Sequence, residues 1–178
     1  MYLSVVDGVL GVEAKSASKT FYVKADAKIK LAVVPDEDSF QNLVINLASS
    51  ETDDNTNNGQ IGFSINALFS DNNVTQASLS FSVTKKVYND ETGKYEYVAL
   101  SAEEESIWQV QKGDAVVRGD TLTVEDKQVR GNYKLVIDTK NANLALTNYR
   151  LNVTLTAGSD HVSEYFIFLV CNINTDLG

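Results

Sequence analysis

Alternation with a period of two constrains this chain more than any other feature. From Phe21 to Val33 the odd positions read Phe21, Val23, Ala25, Ala27, Ile29, Leu31 and Val33. The even positions between them read Tyr22, Lys24, Asp26, Lys28, Lys30 and Ala32. An extended chain sends successive side chains to opposite faces, so this segment makes one strand with a dry side and a wet side; a helix would spread the same apolar residues around its circumference. The pattern recurs at Leu43, Ile45 and Leu47, from Ile61 to Phe69, at Leu79, Phe81 and Val83, and at Tyr149, Leu151, Val153 and Leu155. The last run, Tyr165–Cys171, is apolar at nearly every position and reads as a central strand. Only Ser101–Ser106 could form a helical turn.

Turn residues punctuate these runs. Asn89-Asp-Glu-Thr-Gly93 reads as a hairpin loop whose glycine takes the left-handed position. Lys112-Gly-Asp114 and Arg118-Gly-Asp120 bracket a short strand, and Gly158-Ser-Asp160 joins the last two strands. Short strands at this spacing predict an all-β fold: a single β-sandwich, immunoglobulin-like or jelly-roll, with about ten antiparallel strands. The 178 residues suit one domain, and no linker rich in Pro, Gly or Ser divides them. The expected organisation is an N-terminal arm over 1–18 and a sandwich over 19–178.

Charge and rare residues exclude several functions. The net charge of −9 disfavours nucleic acid and anionic membrane surfaces as partners. One cysteine, Cys171, and one histidine, His161, leave no internal disulfide, thiolate cluster or histidine-rich metal site. A catalytic dyad would need His161, which lies in a turn, or Cys171, which lies in an apolar strand, so no enzyme is expected. Glu103-Glu-Glu105 reads as a solvated edge. The N-terminus has no basic region ahead of an apolar core, and Asp7 and Glu13 interrupt its apolar run. It therefore reads as neither signal peptide nor membrane span, and implies either a processed chain or one that never used the general secretion route.

Three polar motifs remain. Asp54-Asn-Thr-Asn-Asn-Gly59 imitates the start of an oxygen-ligand loop, but Ile65 stands where a bidentate Glu is needed, so it is no EF-hand. A looser calcium site using Asp53 and Asp54 is the one cofactor the sequence leaves open. Arg118-Gly-Asp120 matches an integrin-binding tripeptide, though Gly-Asp also makes a good turn. Asn73-Val-Thr75 and Asn152-Val-Thr154 are glycosylation sequons and favour secretion.

Residues 106–137, SIWQVQKGDAVVRGDTLTVEDKQVRGNYKLVI, resemble the C-to-F stretch of immunoglobulin-like domains. The resemblance implies Trp108 as the core tryptophan, Leu122 and Val124 in the next strand, and Gly131-Asn132-Tyr133 as a tyrosine corner with Tyr133 in the core. Leu135 fills the position of the family's cysteine. Ala67-Leu-Phe-Ser-Asp71 with Thr75 and Leu79-Ser-Phe81 is similar to the opening motif of camelysin and TasA-type secreted fibre subunits.

The arm has the pattern of an unattached strand. Val6, Gly8, Leu10, Val12 and Ala14 share one face; Asp7, Val9, Gly11 and Glu13 share the other. Such a strand can be the first of its own sandwich, or it can add to an open sheet edge of another copy. Head-to-tail addition makes filaments when the rotation does not close. The expected function is therefore a self-assembling structural subunit, extracellular or on a cell or virion surface, with copies of itself as partners. The alternative is an adhesion or carbohydrate-binding module using Tyr88, Tyr95 and Tyr97, with or without calcium.

Overall fold

The computed structural model describes residues 28–36, 43–48 and 58–173. Among these, eleven strands alternate with tight turns: β1 (Ile29–Pro35), β2 (Val44–Asn46), β3 (Gln60–Phe69), β4 (Gln76–Asn89), β5 (Lys94–Ala99), β6 (Trp108–Lys112), β7 (Ala115–Val117), β8 (Gly119–Thr123), β9 (Gln128–Ile137), β10 (Asn148–Ala157) and β11 (Asp160–Cys171). A single 3-10 turn, Glu104–Ile107, precedes β6. The turns follow the expected chemistry: Gly93, Gly113 and Gly158 sit at positive φ, where a side chain would be strained.

The strands form two layers. One sheet runs β1-β3-β9-β6-β7; the other runs β2-β11-β10-β4-β5, with β8 also paired to β4. The long β4 thus serves two partners in tandem, β8 over Gln76–Ser80 and β5 over Thr84–Asn89. Taken in chain order, β1-β3-β9-β6 stand as A-B-E-D and β11-β10-β4 as G-F-C, the arrangement of immunoglobulin sandwiches rather than a jelly roll.

Two expectations change. Not every pairing is antiparallel: β2 lies parallel to β11, Val44 beside Leu169 and Asn46 beside Cys171. The first sheet keeps the chain to Asp36, whose amide donates to the Gly62 carbonyl at 2.8 Å, and β2 lies in the second sheet alongside β11. Nor is Tyr165–Cys171 central throughout. Its strand pairs with β10 along its length, but among the described residues its other side meets only β2, over Leu169–Cys171.

Inward positions build the core. Phe63 (β3) and Tyr133 (β9) of one sheet meet Phe81 (β4) and Phe166 (β11) of the other. The ring centroids lie 5.3–6.1 Å apart: Phe63 to Tyr133 5.7 Å, to Phe81 6.1 Å and to Phe166 5.6 Å, and Phe81 to Tyr133 5.3 Å. Trp108 and Tyr133 are both buried, 3% and 4% exposed.

The tyrosine corner lies elsewhere than the resemblance implies. Tyr149, at the start of β10, accepts a hydrogen bond from the Ala145 amide at 2.9 Å and donates to the Ala145 carbonyl at 3.2 Å. That return to backbone a few residues upstream, at the entry to strand F, defines the corner. Gly131-Asn132-Tyr133 instead lies within β9, where the Tyr133 ring folds over Gly131; a Cβ there would stand 2.7 Å from the ring. The glycine makes room for a ring in the core. Trp108 likewise opens β6, the D strand, and not strand C.

Candidate functional site

Sheet margins are where a sandwich can accept another chain, because their backbone groups lack partners. Among the described residues the margin formed by β1 and β11 leaves a long stretch of strand edge unpaired. β1 pairs only with β3, and among the described residues β11 has no partner on its outer side from Asp160 to Phe168. At one end Lys28 and Asp160 approach to 3.8 Å, an exposed pair that adds little stability. The core thins along this margin: Leu31 and Val33 of β1 and Val162 of β11 are only half-buried.

Glu164 is the unusual residue of this margin. It stands directly opposite Val153, which is fully buried, so it faces the core side of its sheet, and yet it is exposed. An inward carboxylate tolerates this position because it reaches water at the margin between β11 and the adjacent β1. Such charges discourage indiscriminate pairing at sheet edges and leave a strand that fits the charge as the acceptable partner. Alternation in the sequence places Glu164 on this face, but only the pairing shows that the face is uncovered.

The other candidate residues are scattered. Val6, Gly8, Leu10, Val12 and Ala14, expected to serve assembly, and Asp53 and Asp54, expected to hold calcium if any residues do, lie outside the described residues. His161 is exposed on the outer face opposite Thr156, and Cys171, a half-buried free thiol, ends β11. Among the described residues no three His, Cys, Asp or Glu side chains group as metal ligands, and no helix is long and apolar enough to cross a membrane. Asn73 is exposed in a turn, whereas the Asn152 amide is tied to Thr84 Oγ1 at 3.2 Å.

In Arg118-Gly119-Asp120 both charges are engaged within the chain, Arg118 at an exposed position and Asp120 at a half-buried one. The Arg118 guanidinium lies 3.8 Å from the centroid of the Trp108 ring and donates to Glu105 Oε1 at 2.9 Å, the same oxygen that accepts the Trp108 indole N–H. Asp120 accepts from Lys112 Nζ at 2.6 Å, from the Tyr133 hydroxyl at 2.7 Å and from the Thr121 amide at 2.9 Å. Gly119 lies so close to β4 that a Cβ would stand 2.6 Å from the Leu79 carbonyl. These contacts tie β8 to the core and occupy the Asp120 carboxylate, while Arg118 stays half exposed.

Glu103-Glu-Glu105 is only partly a solvated edge, since Glu105 holds Arg118 and Trp108 while Glu104 binds Lys85 and the Ser101 amide. The Lys85 hydrogen bond, then that of Ser101, holds the Glu104 carboxyl below its ordinary pKa. For Asp120 burial pushes upward, but hydrogen bonds from Lys112 and Tyr133 outweigh it and the net shift is down. Burial, with Asp120 alongside, pushes the Tyr133 phenol well above its usual value. Groups with depressed folded pKa values stabilise above their unfolded pKa, about 4 for carboxylates, and lose that stabilisation as pH falls through the folded value. Urea midpoints should therefore hold from pH 7 to 5 and fall steeply below about pH 4. In Glu104→Gln that fall should be shallower; an unchanged acid limb would remove the assignment.

No protein-family model matches the chain, and no curated protein matches it. Solved structures similar to it include a FixG-related protein from Vibrio parahaemolyticus, at 12% identity and TM-score 0.42, over 80% of this chain and 96% of that one. The periplasmic chaperone SfaE is similar at 7% identity and TM-score 0.43, over 82% of this chain and 59% of the chaperone. The CooA pilin subunit from enterotoxigenic Escherichia coli follows at 13% and 0.40, over 81% and 99%. With TM-scores below 0.5, these likenesses assign the chain neither a family nor a role.

Proposed function

We propose that this chain is a self-assembling structural subunit of an extracellular filament on a cell or virion surface. In this reading residues 1–18 are an arm ahead of a sandwich over 19–178, and the arm of one copy adds to the open edge of β11 in the next. The observation that carries it is the β1–β11 margin, where a strand edge unpaired among the described residues lies beside half-buried core side chains. Main-chain hydrogen bonds provide affinity in such an addition, and alternate side chains provide register.

In antiparallel addition Val6–Ala14 fit the edge without meeting β2. Placing Gly8 opposite Glu164 sets Leu10 beside Val162 and Val6 beside Phe166. The smallest residue of the arm's apolar face then faces the carboxylate, and apolar residues cover the half-buried ones. The arm's lack of bulk at position 8 has a use in this register.

Deleting residues 1–14 should leave a soluble monomer by sedimentation and remove filaments from electron micrographs; filaments after the deletion would end the reading. A chain carrying Leu10→Cys, Val162→Cys and Cys171→Ser separates exchange from self-pairing. On a non-reducing gel, oxidised exchange gives a ladder of multimers, whereas an arm folded onto its own molecule gives a cross-linked monomer.

A further inference from the structure

The outer face of the β2-β11-β10-β4-β5 sheet carries a constellation that the filament reading does not use. Arg150 of β10 points outward, its guanidinium carbon 4.0 Å from the Tyr97 ring centroid on one side and 4.1 Å from that of Tyr165 on the other. The stack extends across the strands: Lys86 Nζ lies 4.8 Å from the Tyr95 ring, and Tyr95 meets Tyr88 edge-on at 5.1 Å. Tyr88, Tyr95 and Tyr165 remain about half exposed or more, at 52%, 66% and 47%.

The electrostatics of this face differ from those of the chain. The chain has 24 Asp and Glu residues, yet none occupies an outward position on β4, β5, β8, β10 or β11. Ser, Thr and Asn are the commonest residues there, including Thr154 and Ser163, whose hydroxyls bond each other at 2.8 Å. The acidic residues of these strands lie at strand ends and on inward positions. A face of hydroxyls, amides and tyrosines with Arg150 and Lys86 is complementary to an anion, although the protein as a whole is not.

The clamp also restricts what Arg150 can bind. With a ring on each side, the guanidinium can donate only within its own plane. Its Nε is buried without a hydrogen-bond partner, and its terminal nitrogens make no hydrogen bond to the described residues. A planar, immobilised fork is preorganised for a carboxylate, which takes two parallel N–H bonds. Exposed tyrosine rings offer flat apolar surface to the C–H face of a sugar, and Ser, Thr and Asn meet its hydroxyls. We propose that this face binds an anionic polysaccharide built from uronic acids, with Arg150 holding a carboxylate between Tyr97 and Tyr165. Tyr165 belongs to β11, so the site borders the edge used in the filament reading; Arg150 itself lies on β10, and its variants test sugar binding apart from filament formation.

The experiment titrates the full chain with oligo-uronates prepared from alginate, and with cello-oligosaccharides of equal length as a neutral comparison, by calorimetry at two salt concentrations. Binding should be confined to the uronates and should weaken with salt. Arg150→Ala should weaken it at least tenfold, and Arg150→Lys nearly as much, because an ammonium cannot make the bidentate contact. Lys134→Ala, on the opposite sheet, should leave it unchanged, and melting curves should show each variant folded. Absence of uronate binding, equal binding by Arg150→Ala, or equal binding of the neutral sugar would overturn the proposal. So would an Arg150→Ala variant that changes only self-association, since the face would then be a contact between copies.

Discussion

Replacing Phe63 with Ala should cost about 3–5 kcal/mol of unfolding free energy, the largest single loss expected in this core. Phe63 is fully buried and touches rings on both sheets: Tyr133 on its own, Phe81 and Phe166 on the facing one. Truncation removes the transfer free energy of the ring and leaves a cavity bounded by other rings, which cannot all collapse into it. Ring-to-ring attraction is worth roughly 0.5–1.5 kcal/mol per pair beyond burial, and the substitution abolishes it with all three neighbours. Urea unfolding should show a lower midpoint with an unchanged slope, and the melting temperature should fall by roughly 8–16 °C. A loss under about 1 kcal/mol would show that the cluster repacks freely and that Phe63 is not its centre.

The second large effect falls on Asp120. Asp120→Ala strips the buried Tyr133 hydroxyl and Lys112 of their acceptor and should cost about 2–3 kcal/mol, as hydrogen bonds to charged groups commonly do. A double-mutant cycle with Tyr133→Phe would isolate the shared part, expected near 1 kcal/mol; additive losses would mean the two groups do not act together. The variant also decides how Arg118-Gly119-Asp120 should be read. Any adhesion lost with Asp120 should track the loss of folded protein, and a soluble peptide of the same tripeptide should not compete. Competition by that peptide would restore a recognition role to the tripeptide.

Strand identity is legible in the sequence because its physical basis is local. Ile61–Phe69 and Tyr149–Leu155 alternate so regularly that one face must be dry, and Gly93 and Gly158 mark turns that need positive φ. Motifs whose meaning depends on distant partners are less legible. The G-x-Y at Gly131–Tyr133 has the spelling of a tyrosine corner, but the corner is at Tyr149, whose signature is a bond to Ala145 that leaves no spacing rule behind. Tyr165 and Ile167 make β11 look central, whereas Tyr165 points outward and stacks on Arg150.

The sequence by itself determined that this chain makes a sandwich of short strands with a large aromatic core and holds one histidine and one cysteine. Those properties follow from residue type and from a two-residue period, and neither depends on which strands become neighbours. Tertiary structure alone decided the immunoglobulin strand order, the edge beside Glu164 that no described strand pairs, the contacts that hold Arg118 and Asp120, and the Arg150 clamp. Each of these depends on pairing register, which brings together residues as far apart as Tyr97 and Arg150 and fixes the face each one occupies.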